Sequence, residues 1–546
     1  RGPMSRTVRV AVVAAVVALL GAACTSTEDS SSRDDGPAAS STTVVRECTP
    51  DRPTEVVAAP VTGSTHDLDI TSFDGTTIRA HWFPVEGATD APTVLMGPGW
   101  GMAGDTDVDA VGVLGAVNIA VLRDAGYNVL TWDPRGFGAS GGTAQVDSPD
   151  HEGRDVQVLL DWVAAQPEVR TDADGDPAVG MVGGSYGGGI QLVAAAIDCR
   201  IDAIVPIVAW HSLVSSLYPR ETFKQGWADV LSAVGARAHL DPMVAAANEQ
   251  GRRIGVLTAE QVDWFAARGP ADRVSEITAP TLLVGGTVDT LFPLAEDAAN
   301  YRALRDAGTD VSMFWFCGGH GTCLADKGDE QRMVRRVVAW LDRWVKRDPT
   351  VDTGPRIDVI DQQGRRHVAD DYPGVAGEPL IGRGSGTLEL AAGGGSAPAT
   401  IPPGKADVLA GVAGRLIPAP ASRAIEVEVP VLADSLALGA PRLTLTYTGT
   451  APAGDRPTRV FAQLVDPASG LVIGNQIAPV PVVLDGSEHR STVDLEVISH
   501  RATEGSPLLL QLVATSTLYL EPRLGGRIEV SEAAIEVPTA TGYRAG

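Results

Sequence analysis

Cysteine is scarce in this chain, with five in 546 residues. The stretch "CGGHGTC" at 317–323 offers two thiols and one imidazole, but their spacing is not that of a zinc site. Calcium fares no better. "DADGDP" at 172–177 lacks the ligand spacing of an EF-hand and reads as a turn ahead of a strand. Positive charge is short as well, with 43 Lys and Arg against 68 Asp and Glu and a net charge of −25. An acidic surface of that size repels phosphate backbones and anionic head groups, so nucleic acid is not an expected partner. No internal repeat is visible, and the apolar run at 10–23 is too short to span a bilayer.

That short run has the pattern of an export signal. Arg6 and Arg9 precede "VAVVAAVVALLGAA", which ends in small residues. Cys24 follows directly, and "LLGAAC" resembles a bacterial lipoprotein signal, apart from Gly21 where such signals usually carry Leu. Residues 1–24 are therefore expected to be a signal peptide with Cys24 becoming a lipidated N-terminus. Residues 25–55 are polar and are expected to form a flexible tether. The expected location is outside the cytoplasm, as a cell-surface lipoprotein or a secreted protein, with membrane contact through the lipid anchor only. Four cysteines remain, and an even number in an exported protein points to disulfides. Cys317 with Cys323 is expected as a short local loop, and Cys48 with Cys199 as a link pinning the N-terminal segment to the globule.

From about residue 66, short apolar runs alternate with amphipathic helical stretches. The runs are "PTVLM" (92–96), "YNVLTW" (127–132), "AVGMV" (178–182), "IDAIVPIV" (201–208), "PTLLVGG" (280–286) and "VSMFWF" (311–316). This rhythm predicts a mostly parallel, doubly wound sheet with helices on both faces. An antiparallel hairpin turning at Asp74-Gly75 should precede it. Residues 211–278 interrupt the rhythm with helical patterns and no strand, as a cap inserted over an active site would. The α/β domain, with its cap, is expected over 56–350. Beyond it, 351–546 consists of short alternating stretches punctuated by glycine and proline, the signature of a β-sandwich, with 391–406 as a long surface loop.

Against that frame of strands, "GGSYGG" at 183–188 places Ser185 where "AVGMV" gives way to an apolar helix. A serine hydroxyl becomes a useful nucleophile when an imidazole takes its proton and a carboxylate fixes that imidazole. In α/β hydrolases the chain order is Ser, then Asp or Glu, then His, each at the carboxyl end of a strand. Asp289 in "GGTVDTLFP" and His320 in "FCGGHGTC" satisfy both conditions. Taken singly, Asp289 reads better as a helix cap and His320 as a surface-loop residue; the joint placement favours a triad. The oxyanion would need two N–H donors. Tyr186 is expected to supply one, and Trp100 in "GPGWGM" (97–102) the other, through its backbone or its indole, unless it is a pocket wall. Asp133 and Arg135 in "DPRGFGASGG" are read as an ion pair bracing the neighbouring loop.

The stretches "SFDGTTIRA", "DPRGFGAS", "GGSYGG" and "ITAPTLLVGGTVDTLFP", with the histidine after the next strand, resemble the X-prolyl dipeptidyl peptidase and cocaine esterase family of serine hydrolases. The resemblance runs from about residue 66 to the end and is most specific in the first half. It implies an α/β hydrolase fold with a helical cap and a C-terminal jelly roll. It also implies an acyl-enzyme mechanism carried by Ser185, His320 and Asp289, needing no cofactor or metal. The chain departs from the family at Trp100, where a tyrosine often donates to the oxyanion, and at Gly318-Gly319, where a tryptophan is usual. The expected substrate is a small ester or an X-Pro peptide. A dipeptidyl peptidase must hold a free α-ammonium, for which the cap offers Glu221, Asp229, Asp241, Glu249, Glu260 and Asp263. Two further readings are a surface module with a degenerate hydrolase scaffold that binds a wall glycan, and a ligand-presenting lipoprotein of a transporter.

Overall fold

A mixed sheet forms the centre of the computed structural model, which describes residues 66–546 apart from 111, 113–116, 326, 330 and 403–412. The predicted signal peptide and tether, with Cys24 and Cys48, lie outside the described residues. The sheet begins with the antiparallel pair β1 (Asp67–Thr71) and β2 (Thr77–Phe83), joined at Asp74-Gly75 as the turn chemistry predicts. It continues through β3 (Thr93–Gly97), β4 (Asn128–Trp132), β5 (Val179–Gly184), β6 (Ile201–Ile207), β7 (Thr281–Gly286) and β8 (Val311–Phe316). The spatial order is β1-β2-β4-β3-β5-β6-β7-β8, with β4 antiparallel to β2 and parallel pairing from β4 to β8. This is the α/β hydrolase sheet.

These six parallel strands are almost wholly buried, which is why their sequences read as continuous apolar runs and not as alternations. Helices α2 (Glu152–Ala164), α3 (Tyr186–Ile197) and α8 (Leu294–Ala307) pack on one face. Helices α1 (Ile119–Asp124) and α9 (Gln331–Trp344) cover the other. Between β6 and β7 the chain forms α4 (Leu213–Leu217), α5 (Gln225–Val234), α6 (Pro242–Ile254) and α7 (Ala259–Ala266), the helical insertion expected at 211–278.

The central sheet does not stop at residue 350. Strand β9 (Ile357–Ile360) pairs in parallel with β8, β10 (Arg366–Ala369) pairs antiparallel with β9, and the last strand, Arg544–Ala545, closes on β10. Between them lie three four-stranded antiparallel sheets. Their inward residues, among them Val427, Leu443, Val460, Leu510 and Ile535, form a separate core. The cap is clamped against these sheets by backbone bonds from Gly226 to Leu518 and from Leu520 to Phe223, and by Arg459, whose guanidinium donates to Thr222 and to the Glu221 carbonyl. All the described residues belong to one compact unit.

A chain ending at residue 350 would strip β8 of its neighbour and leave an apolar edge open to pairing with other molecules. Such a truncation should precipitate or unfold without a cooperative thermal transition by circular dichroism. A soluble, cooperatively melting fragment would contradict the dependence of the first half on the second.

Candidate active site

Ser185 occupies the turn from β5 into α3 with φ 56° and ψ −116°, in the strained region that β-carbon-bearing residues rarely adopt. The turn is pinned by the Ser185 amide donating to the Ile207 carbonyl at 2.8 Å, while the Ser185 carbonyl accepts from Gly188 and Gly189. Glycine is required at the point of closest approach, since a Cβ on Gly187 would sit 2.1 Å from the Gly97 carbonyl oxygen. The hydroxyl is thereby raised at the carboxyl edge of the sheet.

The loops after β7 and β8 bring the other two residues to the same edge. His320 Nε2 lies 2.8 Å from Ser185 Oγ, and His320 Nδ1 lies 2.7 Å from Asp289 Oδ2. Asp289 is fully buried. Its Oδ2 also accepts the His320 backbone amide at 2.9 Å, and Oδ1 accepts the amides of Leu291 and Phe292, both at 2.9 Å. Two aromatic edges hold the imidazole: Trp227 at 5.8 Å and Phe292 at 5.2 Å between ring centroids. Cys317 and Cys323 are bonded, closing a small loop around His320. Cys199 is disulfide-bonded too, and its expected partner Cys48 lies outside the described residues.

Trp100 and Tyr186 face one another, with ring centroids 5.4 Å apart. The Trp100 indole N–H donates to the Leu231 carbonyl at 2.9 Å, tying the loop after β3 to α5. That removes the indole as a donor to substrate, and leaves the backbone amide. Among the described residues the backbone amides of Trp100 and Tyr186 have no protein acceptor. Asp133 and Arg135 do brace the nearby loop, but not as a pair. Asp133 accepts from the Gly104 and Ala139 amides and faces His81, whereas Arg135 forms a bidentate bridge to buried Asp155 and reaches Asp74. Two acceptors beyond the loop hold Arg135 more strongly than a neighbour two residues away in an extended turn.

Several supporting residues carry no local sequence signal. Gln476, from the C-terminal sheets, donates to the Asp289 backbone carbonyl at 2.6 Å across 187 positions. Thr290 is held by two groups of the cap: Trp227 Nε1 donates to its hydroxyl and Lys224 Nζ to its carbonyl, both at 3.0 Å. Under the cap, Ser185 and Tyr186 open into a cavity of ≈ 670 Å³ with mainly apolar walls, including Trp210, Leu217, Phe223, Leu240 and Phe265. Among its charged lining residues Lys224 is buried, Asp241 is half-buried, and Glu249 and Arg252 are exposed.

The fold and this edge-of-sheet arrangement define a domain of the esterase and peptidase class of α/β hydrolases. Residues 74–322 match the family of X-Pro dipeptidyl-peptidases (S15 family), and the chain carries a domain of that family, as its motifs imply. A polyketide transferase of Penicillium sp. is 27% identical over 142 residues, 26% of this chain and 44% of that protein. The chain thus spans less than half the length of the first curated relatives it matches. Two solved structures share the fold across both halves. An α-amino acid ester hydrolase has a TM-score of 0.65 at 13% identity, covering 90% of this chain and 100% of its own. A CocE/NonD family hydrolase of Staphylococcus aureus has a TM-score of 0.63 at 12% identity, covering 87% and 93%.

Burial pushes the Lys224 ammonium down from its ordinary 10.5 to about 8, against the opposing pull of Glu496, Glu296 and Asp289. Between those two pH values the unfolded chain binds more protons than the folded one, so this group makes stability rise with pH there; below about 8 its full cost is present. Lys224→Met removes this contribution together with the hydrogen bond to the Thr290 carbonyl, so the wild type should gain stability relative to the variant as pH rises from about 8 to 10.5, by at most about 3 kcal/mol. Denaturant midpoints measured across that range check this, and a pH-independent difference would contradict it.

Proposed function

We propose that this chain is an exported serine hydrolase that cleaves carboxylic esters with bulky apolar acyl groups through an acyl-Ser185 intermediate. The observation that carries the reading is the continuous hydrogen-bonded line from Ser185 Oγ through His320 to Asp289, opening on an apolar cavity. His320 Nε2 takes the Ser185 proton as Oγ attacks the ester carbonyl, and Asp289 stabilises the imidazolium that forms. The backbone amides of Tyr186 and Trp100 serve the developing oxyanion. His320 then returns the proton to the leaving alcohol, and a water attacks the acyl-enzyme by the same route.

Esters are favoured over X-Pro peptides by the charges around the cavity. Of the six cap carboxylates available to an α-ammonium, Asp229 is paired with Arg252. Asp241 is used as the cap of α6 and by Gln145, and Glu221, Glu249, Glu260 and Asp263 are exposed. The buried charge there is a lysine, which would repel an ammonium group. The X-Pro reading keeps the support of the family match over 74–322. A disulfide beside the site and a second bonded cysteine support a location in an oxidising compartment, in line with a signal peptide at 1–24 and a lipidated Cys24. The C-terminal antiparallel sheets are read as a jelly roll whose task here is to hold the Asp289 loop.

Kinetics on p-nitrophenyl esters of increasing chain length, beside an X-Pro dipeptide reporter, test the reading. Octanoyl esters should be cleaved with higher kcat/KM than the dipeptide, and Ser185→Ala should lose at least about 10³-fold in rate and all fluorophosphonate labelling. Preference for the dipeptide would move the assignment to a peptidase; absence of labelling in the wild type would move it to a binding module. Gln476→Ala should lower kcat roughly five-fold with little change in KM, as expected for a lost hydrogen bond that orients the acid loop. A rise in KM at unchanged kcat would show that Gln476 serves binding instead.

A further inference from the structure

Ser185 lies at the meeting point of two cavities of nearly equal size. The first is the ≈ 670 Å³ cavity under the cap; the second, of ≈ 650 Å³, opens along the loop after β3 and the other flank of α5. Trp100 and Leu231 line both, and the bond from the Trp100 indole to the Leu231 carbonyl makes them a partition that ends at Ser185. Among the described residues Tyr186 lines the first cavity, whereas His320 lines the second.

That division assigns the two halves of an ester. His320 must protonate the departing oxygen, so the alcohol half has to leave on its side. The acyl half is then left to the cap cavity, beside Tyr186. The alcohol side is mainly apolar, with Asp105, Thr106 and Asp107 along the loop after β3. Val208, Trp227, Val230 and Leu291 form its inner walls, and Met102 and Val234 stand at its rim, 57% and 44% exposed. Exposed apolar side chains at the mouth of a cavity are costly in water and are covered when an apolar ligand seats there.

A site that holds a departing alcohol also holds an incoming one, because deacylation is acylation run backwards with a different oxygen. We propose that the second cavity is an acceptor site for bulky apolar alcohols, and that the acyl-enzyme transfers its acyl group to them in competition with water. In that step the alcohol O–H proton passes to His320 Nε2 and the alcohol oxygen bonds to the acyl carbonyl carbon. The bond to Ser185 Oγ then breaks, and the proton moves from His320 to Oγ. Donor ester and acceptor alcohol give a new ester and the donor's alcohol, with no further reactant. The inference rests on the acyl-Ser185 reading above.

The test uses the full chain with p-nitrophenyl octanoate as donor and ethanol, butanol or hexanol at equal concentration, measuring octanoate esters and octanoic acid by gas chromatography. Ester formed per acid should rise at least roughly ten-fold from ethanol to hexanol, each buried methylene strengthening acceptor binding. Val230→Trp, which fills the second cavity, should reduce the ratio of hexyl ester to octanoic acid at least five-fold, a partition of the acyl-enzyme that slower acylation does not alter. Val244→Trp, in the first cavity, should leave the hexanol-to-ethanol ratio unchanged. Octanoic acid alone, or equal use of ethanol and hexanol, would overturn the acceptor site while the hydrolase reading stands. Release of nitrophenol that survives Ser185→Ala would instead overturn the hydrolase reading. Should Val230→Trp fail to fold, the alcohol series on the wild type decides.

Discussion

The structure turns on one buried carboxylate. Asp289 has no exposure to solvent, and a charge so placed persists when every lone pair is met by a donor. Four N–H groups meet it: two from its own turn, and two from His320, the backbone amide and the imidazole. Because one oxygen accepts both His320 donors, the acid fixes the position of the loop as well as the tautomer of the ring. The imidazole's other nitrogen is then directed at Ser185, and the rest of the chain is arranged to keep that line straight.

Three separate parts of the chain hold the acid loop in place. The sheet supplies the strand ends, the cap supplies Lys224 and Trp227 to Thr290, and the C-terminal sheets supply Gln476 to the Asp289 carbonyl. This gives a physical reason for a large β region fused to an α/β sheet. Its strands complete the central sheet, its loops clamp the cap, and one of its side chains reaches the backbone of the acid. Burying an ammonium such as that of Lys224 has a cost in stability, but at this position it ties the cap to the residue next to Asp289.

Much of this was legible in the sequence, and the reason is locality. The parallel strands announce themselves as apolar runs, and the ends of β5, β7 and β8 locate Ser185, Asp289 and His320 without knowledge of any long-range contact. The helical insertion shows in its periodicity, and Cys317 and Cys323 lie close enough in sequence for their bond to be expected. What was not legible depends on distant pairings. The extension of the sheet by β9, β10 and Arg544–Ala545 looks in sequence like more of the β region, since short strands read alike in either sheet. Gln476 sits in an ordinary strand pattern. Two nearby charges in "DPRGFGASGG" suggested a mutual pair, whereas Arg135 finds Asp155 on α2 and Asp133 finds backbone amides. The two routes open to the Trp100 donor were narrowed to one by the Leu231 carbonyl, 131 residues away.

The central claim is that Ser185 carries the acyl group between the two halves of the reaction. Rapid acid quench of the protein with p-nitrophenyl octanoate, followed by digestion and mass spectrometry, measures this directly. An octanoyl adduct on the peptide containing Ser185, forming and decaying with turnover, is the predicted result. Turnover without an adduct there, or with the adduct on another residue, would contradict it.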